Sequence, residues 1–255
     1  MSLRPARLLA SALAVTALLT VSGCLSREPD RAGHAASDAP STRPRSAAAP
    51  ALTAAQAQAA LITDTDLGSP WTPTEGTATW RDTLLKATTD LPDCQRLLDV
   101  LYADELLGGT PAAHAVIALD DGDDQAQLRY QVASLPPADA DRTLAWLRTL
   151  PQRCGQFTAA TTAAGPQYVQ VSEAALPPVG GARQGLRITL TGQPQSQYDD
   201  PVTLTLDVAA VRVGDDAIAL TNGALGTEPS DATRQALERG VQRLTQIREQ
   251  GRVQA

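Results

Sequence analysis

The sequence predicts an α+β domain with a largely antiparallel sheet flanked by helices, and three observations carry that prediction. Leu128, Tyr130 and Val132 alternate with Gln127, Arg129 and Gln131, the period-2 pattern of a strand with one buried and one wet face. Acidic and glycine-containing stretches, Asp120-Asp121-Gly122-Asp123-Asp124 and Gly214-Asp215-Asp216, separate apolar runs at hairpin spacing. Leucines at helical spacing, Leu97, Leu98 and Leu101, then Leu144, Leu147 and Leu150, mark amphipathic helices between the strands.

The chain opens with the three parts of a secretory signal: Arg4 and Arg7, an apolar run from Leu8 to Thr20, then small residues. That run is about 13 residues, short of the roughly 20 that cross a bilayer core. It closes on Val21-Ser22-Gly23-Cys24, which resembles the lipid-attachment site of bacterial lipoproteins. The resemblance implies that residues 1–23 are a signal peptide, that Cys24 carries a diacylglyceryl thioether, and that the protein sits on the outer face of the cell membrane. Residues 24–51 form the lipidated cysteine and a linker rich in Ala, Pro, Ser, Arg and Asp with no apolar periodicity, the composition of a disordered tether. Such a tether of roughly 26 residues reaches about 28 Å on average.

Residues 52–255 are long enough for one domain. Thr53-Ala54-Ala55-Gln56 is a capping box opening a short helix through Ile62, ended by Asp66-Leu67-Gly68-Ser69-Pro70. A second helix is expected from about Pro92 to Leu107, stopped by Gly108-Gly109. Ala115–Leu119 and Ala126–Ala133 form a hairpin, and a helix follows from Asp139 to Leu150, stopped by Pro151. The later strands are Val169–Ser172, Leu186–Thr191, Val202–Val213 and Ala217–Thr221. In the longest, the apolar positions switch from even to odd numbers, which calls for a bulge near Ala209-Ala210. A final helix starts at Ser230 or Asp231, turns Leu237, Val241 and Leu244 inward, and frays after Ile247.

Charge narrows the function classes. The formal net charge is -7, and loss of residues 1–23 removes two arginines, leaving -9. Nucleic-acid binding needs a concentrated basic footprint, which this chain lacks. Lys86 is the only lysine beside 20 arginines, and Asn222 the only asparagine, the bias of a high-GC genome such as an actinobacterial one. With Cys24 lipidated, Cys94 and Cys154 remain as a pair, and an oxidising compartment makes a disulfide the default. It would close a loop of about 61 residues and contribute roughly 4 kcal/mol.

The arrangement resembles the family of the extracellular sensor domain of the mycobacterial kinase PknH and its actinobacterial lipoprotein relatives. The matching features are an alanine-rich helix leading into Leu61-Ile62-Thr63, Asp66-Leu67-Gly68 with Trp71, and a helix starting at Asp93-Cys94. The strand Gln127–Ala133 then precedes a helix that ends in Arg153-Cys154. The resemblance implies a helix-flanked antiparallel sheet, an envelope location and a role in binding a ligand. Family members carry two disulfides, whereas the cysteines here suffice for one.

Catalytic constellations are thin. His114 is the only histidine of the domain, and no Gly-x-Ser-x-Gly elbow occurs. Thr83 and Lys86 have the spacing of a hydroxyl–lysine pair, and Asp120–Asp124 is an acidic run without calcium-loop spacing; it and the pairs Asp199-Asp200 and Asp215-Asp216 fit water-exposed turns. Trp71, Trp80 and Trp146 are expected in the core, with Trp146 straddling core and surface. The expectation is a non-catalytic sensor-like domain without metal or cofactor. It is held to the membrane through Cys24 and binds an unidentified small molecule or envelope protein. The alternatives are a scaffold lipoprotein, marked by a contiguous exposed apolar patch, and a hydrolase, marked by two facing carboxylates in a cleft.

Overall fold

The computed structural model describes residues 50–76, 80–123, 125–194, 200–226 and 231–253; Cys24, Asp124, Asp199 and the predicted signal peptide lie outside them. Residues 48–255 form one compact unit. The helices are α1 (Ala54–Ala59), α2 (Asp64–Leu67), α3 (Pro92–Tyr102), α4 (Pro137–Arg153) and α5 (Ala232–Val253). The strands are β1 (Thr72–Pro73), β2 (Ala87–Thr88), β3 (Ala113–Asp121), β4 (Ala126–Ser134), β5 (Gln156–Thr161), β6 (Gly165–Glu173), β7 (Ala182–Gly192), β8 (Thr203–Val213) and β9 (Asp216–Leu225). A single π-helical turn spans Arg81–Leu85.

All nine strands share one sheet in the order β1-β3-β4-β9-β8-β7-β6-β5-β2, and every neighbouring pair is antiparallel. The fold is therefore α+β, as the strand patterning predicts. Helices cover both faces. The π-turn, α3 and α4 pack on one face over Leu186, Ile188, Leu190, Leu204, Leu206 and Val208. On the other face, α1 and α5 pack over Leu128, Tyr130, Val132, Ala209, Val211 and Ile218.

This double cover overturns the predicted bulge. The register of β8 against β9 runs unbroken from Leu204↔Leu225 to Val213↔Asp216. Even positions Leu204 to Ala210 feed one core, while Ala209 and Val211 feed the other. Strands buried on both faces read as continuous apolar runs, so the change of parity in the sequence marks a second core and not a kink.

Other boundaries shift for identifiable reasons. The Thr53–Gln56 capping box is present, but after Ile62 the chain makes a further turn, α2, capped reciprocally by Thr63 and Asp66. Helix α3 stops at Tyr102, not Leu107, because Arg81 takes the carbonyls of Leu101 and Tyr102. Helix α4 runs past Pro151 to Arg153, forgoing one backbone donor, and the Cys154 N–H still reaches Leu150 O at 2.7 Å. Helix α5 continues past Ile247 to Val253, because Arg248 pairs with Asp216, only 1% exposed, and donates to Pro50 O. Strand β5 was not foreseen: its inward residues, Phe157, Ala159 and Thr161, carry little apolar signal.

Candidate functional site

Cys94 in the first turn of α3 and Cys154 at the end of α4 form a disulfide with Cα atoms 5.6 Å apart, pinning both helices on the same face of the sheet. Where α3 ends, Asp104 adopts φ 58°, a left-handed conformation uncommon for a residue with a Cβ. Three side chains hold it there. Arg81, from the π-turn, donates to Asp104 Oδ1 at 2.7 Å and to Leu101 O and Tyr102 O at 3.0 and 3.2 Å. It thereby places a cation on the C-terminal carbonyls of α3, the end of a helix dipole that favours positive charge. Arg129 of β4 brings Nε to 2.7 Å from Asp104 Oδ2, an ion pair by distance without the alignment of a hydrogen bond. Gln131, also of β4, donates from Nε2 to Asp104 O at 2.7 Å, and its Oε1 lies 3.4 Å from His114 Nε2 of β3.

These groups border a cleft of about 270 Å³, lined by Asp104, Glu105, Leu107, Pro111, His114 and Gln131. Its floor is the half of the sheet that α3 and α4 leave uncovered. Burial pushes the Asp104 carboxyl above the ordinary aspartate range, even with the Arg81 and Arg129 guanidiniums pulling it down. Burial also lowers the Arg81 guanidinium, with the Asp104 charge opposing that shift. The cluster of two cations and one anion is desolvated and held from several sides, the kind of arrangement that marks candidate binding sites. The side chains lining the cleft offer hydrogen-bond donors and acceptors and charge: Asp104, Glu105, His114 and Gln131.

The sequence-predicted residues scatter with respect to the cleft. His114 is brought to it, exposed on β3. Lys86 lays its ammonium 5.7 Å from the Tyr102 ring centroid. Asp120 accepts from Thr74 and Gln127, and Asp121 from the Asp123 N–H. No cluster of carboxylates, histidines or cysteines suited to a metal occurs among the described residues. Asp216, expected at an exposed turn, is buried against Arg248. Trp71 and Trp80 are buried in opposite cores, and Trp146 is half-buried under Arg96, whose guanidinium carbon lies 4.2 Å from its ring centroid.

Sequence reasoning missed Arg81, Asp104, Arg129 and Gln131. The alternation in β4 assigned Gln127, Arg129 and Gln131 to a wet face, whereas Gln127 and Gln131 are buried. The only sequence signal was the density of polar residues capable of several hydrogen bonds on that one face. Large exposed apolar side chains among the described residues, Leu91, Val116, Tyr168 and Val202, sit on separate elements.

No family model matches the chain, and no curated protein matches it. Among solved structures, the extracellular domain of PknH from Mycobacterium tuberculosis is similar at a TM-score of 0.48 and 14% identity, over 78% of this chain and 99% of that one. At that level of likeness, the chemistry of the site has to be read from this chain's own residues.

Proposed function

We propose that the chain is a lipid-anchored, extracytoplasmic protein whose folded domain is a non-catalytic, sensor-like module that takes a polar ligand in the Asp104 cleft. The observation that carries the reading is the buried Arg81–Asp104–Arg129 cluster, which fixes the wall of a cleft whose floor presents Gln131 and His114. A site organised before its ligand arrives loses less ordering entropy on binding. The Cys94–Cys154 bridge supports export to an oxidising compartment. The Val21-Ser22-Gly23-Cys24 motif supports anchoring through Cys24. Two acyl chains suffice for stable attachment, each buried methylene contributing about 0.8 kcal/mol.

Two measurements test this. Fractionation of cells expressing the chain should place it in the membrane pellet, and Cys24→Ala should release it. A membrane-bound C24A protein would end the anchoring proposal. Native mass spectrometry of protein taken from its own envelope should show a bound small molecule that a Gln131→Ala, His114→Ala double variant no longer carries. Equal occupancy of the variant would remove the cleft from the proposal.

A further inference from the structure

The side chains of the Asp104 cleft have their donors engaged and their acceptors free. Arg81 and Arg129 turn to Asp104, and neither lines the cleft. Gln131, only 6% exposed, directs its amide nitrogen to Asp104 O at 2.7 Å, so the group it turns to His114 is the oxygen. That oxygen can only accept. The hydrogen between the two side chains therefore sits on His114 Nε2, and Nδ1 of the neutral ring is left as an acceptor. His114 itself is exposed and lines the cleft.

Glu105 supplies the charge. It is exposed, it lines the cleft, and its carboxylate takes part in no ion pair or hydrogen bond among the described residues. Its backbone is held at both ends: the N–H donates to Val100 O at 2.9 Å, and the carbonyl accepts from the Gly108 N–H at 2.9 Å. The neighbouring Asp104 carboxylate is offset by two guanidiniums. Glu105 is thus the uncompensated charge of the lining, which holds no lysine or arginine. Leu107, Pro111 and Ala133 add apolar surface, and the volume of about 270 Å³ suits a small ligand.

We propose that the cleft selects a small primary ammonium. The inference rests on the reading of this cleft as a ligand site and names the chemical class it takes. An alkylammonium carries three N–H donors and no acceptor, the complement of the Glu105 carboxylate, Gln131 Oε1 and His114 Nδ1. Hydrogen bonds between such a cation and a carboxylate are among the strong ones. A short apolar chain would lie against Leu107 and Pro111. An anion would meet two carboxylates, and a quaternary ammonium brings charge without donors.

The probe is butylammonium chloride, titrated into the full-length chain and followed by backbone amide and histidine ring NMR shifts. Butyltrimethylammonium and butyrate are the controls. Butylammonium should move the signals of residues 104–109 and of His114 saturably. Butyltrimethylammonium should bind at least about tenfold more weakly, the loss expected with charge-assisted hydrogen bonds, and butyrate should leave these signals in place. Glu105→Gln should weaken butylammonium by a similar factor, and Glu105→Asp, which keeps the charge, should retain more of the affinity. Position 105 is exposed and its side chain unpaired, so both variants should keep the parent spectrum elsewhere. No saturable shift at these positions, equal binding of either control, or undiminished binding to Glu105→Gln would each overturn the proposal. If butylammonium fails while native mass spectrometry still shows a ligand that the Gln131→Ala, His114→Ala variant loses, the ammonium assignment falls and the cleft reading stands. If that ligand is missing too, both fall.

Discussion

Tyr130 and Gly240 meet so closely that a Cβ at 240 would stand 1.9 Å from the tyrosine hydroxyl. Helix α5 therefore rests on the sheet through a residue that has no side chain. Burial pushes the Tyr130 phenol far up from its ordinary value, and its hydroxyl has no partner among the described residues. Gly240→Ala should cost about 1–3 kcal/mol through overpacking. Tyr130→Phe should be neutral or stabilising by up to about 1 kcal/mol, because it removes a buried unpaired group. Urea unfolding of both variants checks the pair.

Two aspartates should leave opposite marks on the pH dependence of stability. Burial raises the Asp66 carboxyl, but hydrogen bonds from Thr63 and the Arg243 charge outweigh it, so the net shift is downward. Its contribution is present above the unfolded aspartate value and is lost as pH falls through the folded value. Asp104 is shifted upward, so the native state holds its proton longer than the unfolded chain does. Stability therefore falls as pH rises from the ordinary aspartate range through the folded value. In urea melts between about pH 2 and pH 7, Asp66→Asn should flatten the loss on the acid side. Asp104→Asn should remove the decline on the other side.

Among the elements, legibility followed the range of the forces that set each boundary. The α1 capping box and the β3–β4 hairpin are encoded within a few residues of themselves, and both were readable. The end of α3 is decided by Arg81, 20 residues upstream, and the length of α5 by Asp216 and Pro50. No local pattern carries that information. Strand β5 pairs with its neighbours through backbone groups while presenting mostly alanine and threonine, so its periodicity is faint. The disulfide, in contrast, followed from counting cysteines. Since it closes a loop between α3 and α4, Cys94→Ser with Cys154→Ser should cost roughly 4 kcal/mol on the chain-entropy model. Thermal melts with and without reductant check this: the reductant should lower the melting temperature of the parent protein and leave the variant unmoved.

At the scale of the whole molecule, one sheet serves two hydrophobic cores, and central strand β8 contributes alternate residues to each. Neither core can come apart without exposing the other side of the same strands, so unfolding should be a single cooperative event. Trp71 reports from one core and Trp80 from the other. Urea transitions of single-tryptophan variants retaining one or the other should coincide in shape, after correction for each variant's own stability. A separate early transition at Trp71 would mean that α1 and α5 detach on their own. The candidate cleft was far less legible than the fold. Its members come from the π-turn, the segment after α3, and two strands. Each looks ordinary in the sequence, and only the sheet order brings them together.

The grip of Arg248 on the Pro50 carbonyl has a directional consequence. Leu52, just after it, is buried in the α1–α5 core, so the chain joins the domain on that side of the sheet. The Asp104 cleft opens on the other side. A ligand in that cleft would thus meet the face of the sheet opposite the one on which Pro50 and Leu52 are held.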